Sequence, residues 1–183
     1  MQYKKYIIMK KYTRWIGLGL IILLFILQFF QINKTNPKVK PEEDFLAINK
    51  TEASTAKLIK DACYDCHSYE TKYPFYTYVV PLSWWINNHI VNGRKEMNFS
   101  IWATYSAKKA DHKLGESAEM VSEKKMPLKS YLIAHSEAKL SPEQQKQLSD
   151  YFNSLRTSGS EKADSGAKNE KQEDEEDEKE DEK

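Results

Sequence analysis

The hydrophobic pattern of this chain changes character twice. Between Trp15 and Phe30 the stretch WIGLGLIILLFILQFF has Gln28 as its one strongly polar side chain. Extended to Ile32 the run is 18 residues long, near the lower limit for a helix crossing roughly 30 Å of hydrocarbon. It predicts a transmembrane anchor over 15–32. NKTNPKVKPEED, residues 33–44, then reads as an extended linker, because Pro37 and Pro41 block helix propagation. From Phe45 to about 156 apolar positions recur at helical rather than alternating spacing, and in residues 157–183 they all but disappear.

Within 45–156 the pattern resolves into helices. EASTAKLIKDA leads toward Cys63 with Thr51 as its expected cap and with Ala56, Ile59 and Cys63 on one face. A second helix is expected from Ser83, with Trp85, His89 and Asn92 at i, i+4 and i+7 and Gly93 as its terminator. NFSIW opens a short third segment capped by Asn98 or Ser100, and GESAEMVSEK, residues 115–124, predicts another short helix. The clearest signal is the last. Ser141, Pro142 and Gln144 form a capping-box sequence, followed by Leu148, Tyr151, Phe152 and Leu155 as an apolar stripe. No alternating strand pattern emerges, so the fold class expected is all-α: a small helical domain behind an N-terminal anchor.

Charge gives this order a direction. Residues 1–14 carry Lys4, Lys5, Lys10, Lys11 and Arg14 and no acidic residue, which predicts a cytoplasmic N-terminus and a soluble domain on the outer side of the cytoplasmic membrane. A cleaved signal peptide is the rival, but no small-x-small site follows the apolar run. Residues 161–183 contain 12 acidic and 5 basic residues and no aromatic one. Such a segment buries too little apolar surface to offset its chain entropy, so 157–183 is expected to be a disordered acidic tail. Neither end reads as a nucleic-acid surface.

Both cysteines of the chain lie in DACYDCHSYETKYP, as Cys63-x-x-Cys66 followed directly by His67. Outside the cytoplasm this spacing suits two thioether bonds to one haem, with the adjacent histidine as proximal iron ligand. A Cys63–Cys66 disulfide would close too short a loop to stabilise much. A redox pair would follow a strand, and zinc would need further ligands at suitable spacing. For the sixth iron position Met126 leads, since Pro127 keeps the chain extended there. His89 is the alternative, beside Trp85 as a further pocket residue; Met97 and Met120 rank lower. His112 and His135 are expected at the surface, Asp61, Asp65 and Glu70 as solvated carboxylates, and Trp84, Trp85, Trp102, Tyr73, Phe75 and Tyr76 as core.

CYDCHSYETKYPFYTYVVPLSWWINNHIVNGRKEMNFSIW, with KKMPLKSYLIAHSEAKLSPEQQKQLSDYFNSL after it, resembles the bacterial haem-binding domain family related to c-type cytochromes. The resemblance covers roughly Phe45 to Leu155. It implies a cytochrome c-like domain with one covalent haem c held outside the cytoplasmic membrane, with Cys63 and Cys66 at the thioether positions and His67 as proximal ligand. Met126 matches the distal methionine of the wider cytochrome c group. Some members carry fused peroxidase modules; this chain has none, so that activity is not implied. The resulting expectation is a single-electron carrier with a redox protein as partner. A haem-based redox or gas sensor, or a peroxidase-like protein using His89 with Asn88 or Arg94, is the alternative.

Overall fold

The computed structural model describes residues 2–156, with side chains from Tyr12 onward. The expected acidic tail, 157–183, lies outside the described residues. Among the described residues the regular structure is all helical, with no strand: α1 (Gln2–Leu27), α2 (Phe45–Ile48), α3 (Ala53–Ala62), α4 (Tyr64–His67), α5 (Leu82–Glu96), α6 (Ala107–Ser122) and α7 (Pro142–Ser154). Short 3-10 turns, notably Phe75–Tyr78, Phe99–Thr104 and Tyr131–Ile133, join them.

The apolar run does not form one helix over 15–32. α1 ends at Leu27 and a tight turn follows over 28–30. Gln28 explains the stop. Its amide nitrogen donates to the carbonyls of Leu24 and Val80, both at 2.9 Å, and its amide oxygen accepts from Val80 N–H at 3.0 Å. The helical apolar stretch from Trp15 to Leu27 therefore reaches only about 20 Å at 1.5 Å per residue. Among the described residues no helix is long and apolar enough to cross a membrane. The apolar side chains of α1 are nevertheless exposed, including Ile21, Leu24 and Phe25.

After this turn the linker folds back onto the domain. Asn36 donates to the Thr71 carbonyl at 2.8 Å and accepts from Arg94 at 3.0 Å. Asp44 then caps α2 through Leu46 N–H, which drops Phe45 into the core. There Phe45 meets Phe99 and Trp102 at centroid distances of 5.0 and 4.8 Å. Ile59 from α3, Leu114 and Ala118 from α6, and Leu148 and Phe152 from α7 complete the cluster. Along α7 the stripe read from sequence divides by depth: Leu148 and Phe152 are buried, while Tyr151 and Leu155 pack at the margin. The capping box at its start is formed as the sequence predicts.

Other expectations need correction. Thr51 does not cap α3; its hydroxyl is bonded instead to the Tyr151 hydroxyl at 2.6 Å, and Glu52 occupies the cap position without a side-chain bond. α6 starts eight residues earlier than the 115–124 segment, at Ala107, because Ser106 caps it and Leu114 supplies an early core contact. Of the aromatic residues assigned to the core, Trp102 is buried, but Phe75, Trp84 and Trp85 are exposed. α5 continues through Gly93 to Glu96, so that glycine is not a terminator.

Candidate functional site

α4 is a single turn, and its residues face two ways. Tyr64 points into the core, stacked on Phe99 at 5.2 Å with an interplanar angle of 12°. Its hydroxyl donates to both carboxylate oxygens of Asp44 at 3.0–3.1 Å. Burial and the Asp44 carboxylate hold that phenol well above its usual pKa. Cys63, Cys66 and His67 line a cavity of about 190 Å³ on the other side, together with His89, Gly93 and Met126. A larger cavity of about 320 Å³, bounded mainly by apolar side chains such as Leu82, Ile86 and Ile90, shares Asp65, Cys66, His89, Leu128 and Tyr131 with the first. One hollow region therefore wraps around Cys66.

Gly93 sets how closely α5 approaches this turn. A Cβ at that position would lie 2.8 Å from the Cys66 carbonyl oxygen and 3.2 Å from its Cβ, so only glycine permits the observed contact. Beyond the motif, Arg94 holds the chain down. Its Nε donates to the Ser68 carbonyl at 2.8 Å and one terminal nitrogen to Thr71 Oγ1 at 2.9 Å. Arg94 is thus a structural clamp and takes no part in lining either cavity.

The donor chemistry of the turn fits a haem. His67 Nδ1 lies 3.1 Å from the Met97 carbonyl oxygen. A carbonyl can only accept, so Nδ1 carries the hydrogen and Nε2 keeps the free lone pair of the ring, the arrangement that orients a metal-binding imidazole. Burial lowers the pKa of His67, against the opposing pull of the Met97 and Gly93 carbonyls, which favours the neutral ligand form. Both thiols are unpaired. Burial, reinforced by the neighbouring thiol, pushes Cys63 up to about 12, and burial with the nearby Asp65 charge pushes Cys66 up to about 11. Such burial opposes formation of the thiolate. Among the described residues no group of three or more His, Cys, Asp or Glu side chains is placed to hold a metal ion.

The structure thus brings Cys63, Cys66, His67, His89 and Met126 to one cavity, while Trp85 lines only the larger neighbour. His89 Nδ1 is tied to the Trp85 carbonyl at 2.9 Å. Met97 is drawn into the core and its sulfur accepts from Ser117 at 3.3 Å. Two expectations fail here. Asp65 is not a solvated carboxylate: it accepts from Tyr131 Oη at 2.7 Å and from Lys72 N–H at 3.0 Å. His135 is not a surface residue: it lines the larger cavity, stacks on Tyr131 at 4.0 Å, and is bonded to Tyr76 and Glu137. Tyr131 was not singled out by sequence because a tyrosine between Ser130 and Leu132 carries no periodic signal. His112, by contrast, is exposed beside Glu116.

A family model described as a haem-binding domain matches residues 22–154 of the chain. No curated protein and no solved structure matches it.

Proposed function

This chain belongs to the haem-binding domain family, and from that premise we propose that it is a membrane-attached, single-haem c-type cytochrome transferring single electrons outside the cytoplasmic membrane. The observation that carries the reading is the convergence on one cavity of the Cys63-x-x-Cys66-His67 turn and Met126. Cys63 and Cys66 would hold the haem as thioethers. His67 would offer Nε2 to the iron, held in orientation by the Met97 carbonyl, and Met126 would offer its thioether sulfur. The haem supplies a one-electron iron(II)/iron(III) couple when bound. The electron is exchanged with a redox protein.

Attachment to the membrane belongs to the same proposal. From Leu20 to Ile26 seven successive apolar side chains cover the whole circumference of α1, and they are exposed. A helix that is apolar all round needs an apolar surround. The basic residues before it suit an anionic membrane surface.

His89 supports a second reading. It lines both cavities and its Nε2 is not engaged by the Trp85 carbonyl, so a sensor or peroxidase-like protein could use it on the distal side. Visible and magnetic spectra of the loaded Met126→Ala and His89→Ala variants separate the two. The cytochrome reading predicts that Met126→Ala loses the low-spin signature and lowers the reduction potential, while His89→Ala changes neither. The opposite pattern assigns the distal side to His89.

A further inference from the structure

The aromatic residues that fail to enter the core are gathered at one place. Phe75 is 83% exposed, Ile133 86% and Trp85 48%, and Tyr78, Leu82 and Trp84 are exposed beside them. Leu82, Trp85 and Ile133 also line the larger cavity, so its rim lies within this patch. A cluster of this kind on a small domain calls for a covering surface.

The patch is fastened to the end of α1. Gln28 makes its paired bonds to Val80, Gln31 donates to the Tyr78 carbonyl at 3.1 Å, and Trp84 Nε1 donates to the Phe30 carbonyl at 2.8 Å. These contacts set the patch where the exposed apolar helix ends. Its composition also suits the boundary between hydrocarbon and water, where tryptophan and tyrosine place an apolar body and a polar tip. Lys34 lies over the Tyr78 ring at 4.1 Å, a cation suited to the level of phosphate headgroups.

We infer that this patch is a lipid-docking surface, which lays the domain against the outer headgroup layer of the membrane entered by α1, with the rim of the larger cavity facing lipid. The inference rests on the membrane attachment proposed above. Docking fixes the orientation of the domain, together with the bonds that join Gln28 to Val80, Gln31 to Tyr78 and Trp84 to Phe30.

The test uses the full-length chain in phosphatidylcholine–phosphatidylglycerol vesicles carrying a phospholipid with a photoactivatable group near its headgroup. Vesicle flotation is measured first, and cross-linked peptides are then mapped by mass spectrometry. Docking predicts lipid adducts both on α1 and on peptides containing Phe75, Trp85 and Ile133. In the double variant Phe75→Glu, Tyr78→Glu, at two positions that line neither cavity, the patch adducts fall severalfold while flotation and α1 adducts persist. Both side chains are exposed, so helicity and visible spectrum should be unchanged. Flotation with adducts on α1 alone overturns docking and leaves attachment standing. Failure to float overturns attachment and docking together. Patch peptides cross-linked to a second copy instead of lipid assign the surface to self-association and overturn the inference.

Discussion

The two sides of α4 are built on opposite plans. Beneath it, Phe45, Phe99 and Phe152 are at most 1% exposed and fill one another's surroundings, with Tyr64 stacked on top. Above it, the side chains of Cys63, Cys66 and His67 converge on hollow space bounded by α5 and the 126–135 segment. The lower region is filled by the chain's own side chains, whereas the upper one is a cavity lined by Cys63, Cys66 and His67. A domain of this size gains substantially from a large held cofactor. The same turn thus links a packed core to a hollow site.

The largest effect should come from breaking the lower region. Phe45→Ala is expected to cost about 3–5 kcal/mol, seen as a lowered denaturant midpoint in haem-free and haem-loaded protein alike. Equal loss in both forms would mark the core as independent of the cofactor; a loss confined to the haem-free form would show that the two regions share their stability.

Gly93→Ala attacks the upper region. Alanine gains about 1 kcal/mol of helix propensity over glycine, but the new Cβ meets the Cys66 backbone at 2.8 Å, which cannot yield as a flexible side chain would. Overpacking of this kind costs about 1–3 kcal/mol. The expected outcome is a modest stability change with a disproportionate loss of haem incorporation, measured as haem per polypeptide. Normal incorporation would show that α5 can move off the turn without consequence.

Tyr64→Phe tests the seam between the regions. It strips the donor from the buried Asp44 carboxylate and should cost about 1–3 kcal/mol. There is a pH signature as well. The folded state holds the Tyr64 proton more tightly than the unfolded chain, so the stabilisation is complete below the ordinary phenol value of about 10 and is lost as the pH rises above it. Unfolding curves from pH 8 to 11 should fall less steeply in Tyr64→Phe than in the parent. Smallest of all, Ser141→Ala removes one half of the α7 capping box and should cost about 1 kcal/mol, with an unchanged haem spectrum.

How much of this could be read from the chain depended on the range of the signal. The α7 capping box and the Cys63–His67 motif are local patterns, set by residues three or four apart, and the all-helical class followed from periodicity. Gly93 was misread because a glycine near a helix end is indistinguishable, in one dimension, from one that admits a neighbouring backbone. Thr51 was read as a cap because its bond to Tyr151 spans 100 positions. The same distance problem hid the Asp65–Tyr131 and Tyr76–His135 pairs. Gln28 stands out as the one strongly polar residue of the apolar run, but its role in ending α1 depends on Val80, which the run itself does not contain. Phe75, Trp84 and Trp85 were expected inside because composition reports how apolar a side chain is and not what covers it.

The central claim is that Cys63 and Cys66 hold a haem covalently, and one measurement addresses it directly. The full-length chain is expressed with a c-type maturation system and fully denatured, and haem absorbance is followed with the polypeptide. The account predicts that haem remains attached, and that Cys63→Ala combined with Cys66→Ala abolishes this retention. Haem that separates on denaturation, or retention that survives loss of both cysteines, would contradict it.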